Sequence, residues 1–244
     1  MKVCDICNSQ LNKIFTKKVL EKYEVDYFFC KNCHLIQTEN PYWLDEAYEN
    51  TVTTTDSGYL GRNILLSRVS LIIFYFLFKK KNKFLDYAGG YGIFTRLMNN
   101  YGLNFFWSDK YTENIFAKDL EYKNEEVSAI TCFECFEHFY KPTYECKKML
   151  KICNTIFFST KLIPPNTIPN IDEWGYYGFH HGQHVTFYSE KSLKNLANKL
   201  NLNFYSDGSN LHIMTNRKMS NFLFNIILIL PKFQIDILIR KLLK

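Results

Sequence analysis

The run Phe84-Leu85-Asp86-Tyr87-Ala88-Gly89-Gly90-Tyr91-Gly92 decides how the rest of this chain is read. An apolar segment ends beside an acid and meets three glycines within four positions. Ile93, Phe94, Leu97, Met98 and Tyr101 then follow at helical spacing up to Gly102. The pattern predicts a buried strand, a tight turn and an amphipathic helix closed by glycine. Glycine in the turn lets backbone approach a ligand, and the helix start offers free N–H groups. Only Gly90 and Gly92 keep the first interval of Gly-x-Gly-x-x-Gly, and no Gly-Lys-Ser/Thr follows, so neither a dinucleotide fingerprint nor a P-loop is present. A carboxylate at this point would repel a pyrophosphate and pair with an ammonium group. The expected ligand is a nucleotide that carries an amino acid.

Outward from this run the strand and helix pattern repeats. Strands are expected at Leu103 to Trp107, Val127 to Phe133 and Asn154 to Ser159, with a helix opened by Pro142 and running to about Lys151. Asp109 follows the second strand 23 residues beyond Asp86, near the ~20-residue offset at which an acid grips ribose hydroxyls. Ser189 caps a helix carrying Leu193, Leu196, Ala197 and Leu200. Asn203 to Ser206 and Leu211 to Thr215 flank Asp207-Gly208, a hairpin signal.

At the N-terminus, Cys4-x-x-Cys7, 22 residues and Cys30-x-x-Cys33 form two knuckles whose four thiolates suit tetrahedral zinc. A closed site of four thiolates leaves no position for chemistry, so its expected role is structural. Cys132, Cys135, Cys146 and Cys153 read as core thiols. The fold class is therefore α/β: a Rossmann-like doubly wound sheet, mostly parallel, closed by a C-terminal antiparallel hairpin and preceded by a small zinc module. Four segments are expected: a zinc module at 1–45, a connector and helix at 46–80, the sheet domain at 81–217, and an apolar, basic helical tail at 218–244.

The 244 residues are 47% hydrophobic and 17% aromatic, which excludes global disorder. The formal net charge of +6 and the absence of a basic run longer than Lys79-Lys80-Lys81 argue against a dedicated nucleic-acid surface. The start lacks the apolar core of a signal peptide, so reduced cysteines and a cytoplasmic location are expected. Ile64 to Phe78 falls short of the ~20 apolar residues that span a bilayer and reads as a buried helix. In the tail, Phe222 to Leu230 and the stripe Ile235, Leu238, Ile239 and Leu242 are flanked by lysines and an arginine. That tail reads either as a docking helix or dimer contact, or as a segment lying on the inner membrane face.

Asp86, Gly90 and Gly92, with Asp109 at the next strand end and Glu134-Cys135-Phe136-Glu137-His138 past the fourth strand, resemble the class I S-adenosylmethionine-dependent methyltransferases over roughly residues 60 to 215. The resemblance implies S-adenosyl-L-methionine as cofactor. Asp86, Ala88, Gly89, Gly90, Gly92, Phe133 and Glu134 would line its site, Asp109 would hold the ribose, and Asp119 and Leu120 would meet the adenine. Glu134, Glu137 and His138 allow three readings. They hold a divalent cation, as in the similar group of the ubiquinone-type O-methyltransferases; or Glu134 meets the cofactor while His138 is a general base; or they cap the next helix.

A second cluster runs from Trp174 to His184, with aromatic rings, three glycines and His180, His181 and His184. It suits stacking on a sugar or ring, and His138, His181 and His184 are the candidate bases, with Glu137 orienting one of them. His181 and His184 also have the spacing of a metal pair. Gly182-Gln183-His184-Val185-Thr186-Phe187-Tyr188-Ser189 resembles a segment of bacterial methyltransferases tied to surface polysaccharides. The four-cysteine start resembles zinc-containing sugar C-methyltransferases, which carry a long second domain after the core, whereas this sequence runs to residue 244. Tyr48 and Tyr59 could line the acceptor site. The expected activity is methyl transfer to a small polar acceptor, a hydroxyl of a sugar or glycan precursor, with C-methylation of a nucleotide sugar or ring O-methylation as neighbours. A zinc module that binds nucleic acid is the reading from another class; the modest charge and the lack of Asn/Asp-Pro-Pro-Tyr after the fourth strand oppose it.

Overall fold

The computed structural model describes residues 2–49, 57–165 and 167–243. Residues 50–56 of the expected connector lie outside the described residues. A six-stranded sheet forms the centre, built from β4 (Lys83–Tyr87), β5 (Asn104–Ser108), β6 (Ala129–Cys132), β7 (Thr155–Ser159), β9 (Asn203–Ser206) and β10 (Leu211–Thr215). Their spatial order is β5-β4-β6-β7-β10-β9. The first four are mutually parallel, and β10 runs antiparallel to β9, as the hairpin signal predicts, and also to β7.

Alternate side chains of these strands enter two different cores. Phe84, Phe105, Ala129, Phe157 and Ile213 pack against α2 (Tyr59–Leu77), α3 (Ile93–Asn100), α6 (Asn221–Ile229) and α7 (Ile235–Leu243). Leu85, Ile130, Phe158 and Met214 pack against α4 (Pro142–Leu150) and α5 (Glu190–Lys199). Burial on both faces explains why the parallel strands read as continuous apolar runs. A third parallel strand beside β5 is reduced to one bridge, Trp107 with Glu121.

The N-terminal residues form a second, antiparallel sheet of β1 (Leu11–Val19), β2 (Tyr23–Cys30), β3 (Ile36–Thr38) and β8 (Thr186–Phe187), joined to the centre through α1 (Leu44–Ala47). Its fourth strand comes from the segment that follows β7, so the two sheets share chain. The contact continues through the core: Cys4, Ile6, Leu11, Cys30, Cys33 and Leu35 belong to the same apolar cluster as Cys146, Tyr188 and Leu193. α4 has no cap from its own N-terminal residue Lys141. Asp5 supplies one from the N-terminal module, its carboxylate accepting the Thr143 N–H at 2.8 Å, where the helix dipole favours an anion.

The C-terminal helices are docked. Asp236, fully buried on α7, lies 2.9 Å from Arg68 of α2 and 3.0 Å from Arg240, while Arg68 also donates to the Pro231 carbonyl. α2 is the one described unbroken helix long and apolar enough to cross a bilayer, yet its stretch from Val69 to Phe74 is buried against the sheet. At 19 residues it is longer than the Ile64 to Phe78 run expected to fall short of a span, and it is its packing against the sheet that agrees with the reading as a buried helix.

Candidate active site

A cleft of about 910 Å³ opens along the C-terminal ends of β4, β5 and β6, where open α/β sheets bind ligands. Asp86, Ala88, Gly89, Gly90, Asp109, Phe133, Glu134, Glu137, His138, His181 and His184 all line it, so most residues singled out in the sequence converge.

The glycine loop is tied down from several sides. Gly90 has φ +54°, and a Cβ there would stand 2.6 Å from the Tyr59 hydroxyl, so this position accepts no side chain as it stands. Its N–H donates to Asp109 Oδ2 at 2.9 Å, and its carbonyl accepts the Trp107 indole N–H at 2.8 Å. Asp109 Oδ1 accepts the N–H groups of Tyr111 and Thr112, which turns residues 109–112 toward the cleft. Asp86 lies beneath the loop, accepting hydroxyl hydrogen bonds from Thr95 at 2.8 Å and Thr131 at 3.0 Å. Burial pushes its carboxyl up to about 7.

Three expected cofactor residues are placed elsewhere. Gly92 starts α3 with φ +86° and packs against Ala117. The main chain of Leu120 is spent on the bridge to Trp107, its carbonyl accepting the Trp107 N–H, and Asp119 occupies a left-handed turn at φ +72°. None of the three lines the cleft. The acid and leucine belong to the reduced third strand and its turn.

The other half of the cleft is assembled from both sheets. The Tyr48 hydroxyl lies 2.7 Å from Nδ1 of His138, and Tyr48 stacks on Tyr111 with ring centroids 4.9 Å apart. His184 donates from Nδ1 to the Tyr176 carbonyl at 2.6 Å, which fixes a neutral tautomer whose Nε2 carries the lone pair. His138 and His184 are 5.2 Å apart between ring centroids, and His181 lies 4.6 Å from His184. Burial holds His138 down at about 3 and His184 well below the ordinary imidazole value, so both are neutral near pH 7. Glu137, also buried, is pushed up to about 8 by desolvation first and by Glu134 second, and its Oε2 has no hydrogen-bond partner among the described residues. Single ligand atoms of Glu137, His138 and His184 lie within 4.8 Å of one another. Glu134 is pinned by a Ser159 hydroxyl donating to its Oε1 at 2.6 Å and faces Arg62 at 3.5 Å.

Sequence reasoning missed Arg62, Lys110 and Tyr111 as lining residues, whereas Tyr176 belongs to the aromatic cluster it singled out. The loop that carries His181 and His184 is held at the N-terminal module: Trp43 Nε1 donates to the Gly182 carbonyl and Leu20 N–H to the Phe179 carbonyl. Only the run of aromatics in both segments hinted at that pairing.

The four N-terminal cysteines also converge. Cys4 and Cys33 sulfurs are 3.6 Å apart, Cys7 and Cys30 sulfurs 3.4 Å, and all four lie within 4.8 Å of one another with no disulfide. Four sulfurs bound at ~2.3 Å to one tetrahedral centre stand about 3.8 Å apart, so the donor set fits zinc. Each knuckle ends in a left-handed residue directly after its second cysteine, Asn8 at φ +60° and His34 at φ +60°.

The profile of the family described as "Methyltransferase domain" matches residues 63–206. No curated protein matches the chain. Among solved structures, an O-methyltransferase family protein from Burkholderia thailandensis is similar at TM-score 0.51 and 11% identity, over 73% of this chain and 64% of that one. The SAH-bound calicheamicin-biosynthesis methyltransferase CalO1 is similar at TM-score 0.42 and 10% identity, over 62% of this chain and 54% of that one. The plantazolicin methyltransferase BpumL in complex with SAH is similar at TM-score 0.45 and 12% identity, over 73% and 92%. The chain thus spans little more than half the length of the calicheamicin protein and nearly all of the plantazolicin one. At 11% identity the likeness to the Burkholderia thailandensis protein is one of fold.

Proposed function

The chain belongs to the methyltransferase-domain family, and from that premise we propose that it methylates a hydroxyl of a sugar or glycan precursor, using S-adenosylmethionine. One observation carries the reading: the glycine loop with its two strand-end acids and the neutral pair His138 and His184 line one cleft. The loop fits a cofactor that brings an ammonium group and a ribose, since Gly90 leaves no room for a side chain and Asp86 and Asp109 bracket it. The cofactor supplies a methyl group on a sulfonium, already activated for in-line displacement.

The chain's residues do the rest. Asp86 pairs with the ammonium, and Asp109 takes ribose hydroxyls on lone pairs its three N–H donors leave open. Nε2 of His184 accepts the acceptor's hydroxyl proton as the new O–CH₃ bond forms and the S–CH₃ bond breaks. Tyr48 fixes the ring of His138, and Tyr48, Tyr111 and Tyr176 offer planes for a sugar ring. Cys4, Cys7, Cys30 and Cys33 hold a structural zinc ion that fixes the sheet from which Tyr48 and the histidine loop are positioned. Incubation with labelled cofactor and a panel of nucleotide sugars and glycan fragments tests the proposal. Transfer to a hydroxyl of at least one sugar is expected; transfer confined to aromatic phenols would replace it with ring O-methylation.

A second reading of the base rests on the unpartnered Glu137 Oε2 beside His138 and His184. A divalent cation there would lower the acceptor hydroxyl's pKa directly. Activity abolished by a chelator and restored by magnesium or manganese, while the zinc remains bound, would select it.

A further inference from the structure

The docked C-terminal helices leave one side of the molecule apolar. Phe224, Ile227, Ile239 and Leu243 turn inward to the core, whereas Phe222 at 76% exposure, Phe233 at 69%, Leu238 and Leu242 turn outward. Asp236, clasped by Arg68 and Arg240, fixes which side faces out. α2, against which these helices pack, also exposes Leu65 and Phe76. Exposed apolar side chains gathered on packed neighbouring helices mark an interaction site.

Charge says what covers it. Between Gly208 and Leu243 the sequence holds one acid, the buried Asp236, and Lys218, Lys232 and Lys241 are exposed. Between Ser57 and Lys83 there is no acid at all. At the far end of α2, Phe76, Phe78, Lys79, Lys81 and Arg217 line a groove of about 500 Å³, with apolar floor and cationic rim. Two copies meeting through this face about a twofold axis would set lysine against lysine. An anionic lipid surface satisfies both the apolar side chains and the uncompensated lysines. The α6 and α7 pair is bent by 89°, and the inner side of α2 is occupied by the sheet, an arrangement that suits lying along a bilayer over crossing it.

We propose that the outer face of α2, α6 and α7 docks the protein on an anionic lipid bilayer, with phosphate headgroups taken by the groove of Lys79, Lys81 and Arg217. Tyr59, Arg62, Asn63 and Leu66, on the first turns of α2, line the active-site cleft. Docking therefore brings the cleft mouth close to the lipid plane, where an amphiphilic acceptor is presented.

Co-sedimentation of the full chain with vesicles of phosphatidylcholine alone, or with about one third phosphatidylglycerol, tests this. The bound fraction is expected to rise about tenfold with the anionic lipid and to fall as salt is added. Phe222→Ser with Phe233→Ser, and separately Lys232→Glu with Lys241→Glu, should each abolish the gain. Their melting temperature and their binding of S-adenosylhomocysteine should stay unchanged, so that failure here is separable from failure of the cofactor reading. Equal binding to both vesicles, or none, overturns the proposal. So does a dimer in solution that the phenylalanine substitutions convert to monomer.

Discussion

The hydroxyl of Tyr48, from the segment after the N-terminal sheet, reaches to 2.7 Å from Nδ1 of His138, which follows the central strand β6. Two parts of the chain 90 residues apart thus meet at the candidate reacting centre. Tyr48→Phe keeps the ring stack on Tyr111 and removes one hydrogen bond. Turnover is expected to fall about tenfold, with S-adenosylhomocysteine affinity unchanged by calorimetry. Equal loss of both would place Tyr48 in the fold and not in the chemistry.

His184 carries the heavier role. With its Nδ1 committed to the Tyr176 carbonyl, Nε2 is the atom left to take a proton. His184→Gln should lower kcat by about 10² to 10⁴ with little change in cofactor binding. A drop below tenfold in single-turnover assays would move the base to His138 or His181.

Asp86 gives the chain a pH dependence whose sign follows from its burial. Its carboxyl rises from 3.8 unfolded to about 7 folded, so its contribution to stability is complete below pH ~4 and is lost as pH climbs through 7. Asp86→Asn should flatten that loss between about pH 4 and pH 7 in urea unfolding. Cofactor binding runs the other way, because the ammonium needs the ionised acid. S-adenosylhomocysteine affinity in the unmodified chain is expected to weaken toward tenfold per unit below pH ~7. A flat affinity profile would detach Asp86 from the ammonium.

Asp109 accepts three backbone N–H groups, from Gly90, Tyr111 and Thr112. Asp109→Ala leaves all three donors without that acceptor and would remove the proposed ribose contact. Cofactor affinity should fall about 10- to 100-fold. Unchanged affinity in a titration would transfer the ribose to other groups.

Zinc removal should be felt far from the cysteines. Metal analysis is expected to give about one zinc per chain, and Cys30→Ser or a strong chelator should lower the melting temperature by about 10 °C or more. Because Asp5 sits between Cys4 and Cys7 and caps α4, loosening should spread to that helix in hydrogen exchange. Protection of α4 unchanged after metal removal would show the knuckle to be energetically separate.

The sequence made the central sheet legible wherever apolar runs were continuous, as in Phe84-Leu85 and Ile156-Phe157-Phe158. It hid the third strand, because Asp119-Leu120-Glu121 offers one apolar residue and pairs by a single bridge. It hid β8 as well, two residues long and paired with β3 from the N-terminal module. The glycine loop, both acids and the histidines were visible because their residue types are costly to place without a purpose. Thr95 and Thr131 beneath Asp86, and Ser159 beside Glu134, were not, because a hydroxyl partner has no spacing of its own. The same holds for Tyr111, which stands out only once distant segments are folded together.

The two-residue strand β8 orders events during synthesis. β3 ends at Thr38, but its outer edge stays open until Thr186 and Phe187 have left the ribosome. At ordinary elongation rates that interval is on the order of ten seconds. Throughout it, the first-made part of the protein carries an unpaired strand edge and an apolar cluster missing Tyr177, Val185 and Phe187. The nascent chain is most exposed to wrong partners while its middle is being made, and the segment bearing His181 and His184 is what closes that window.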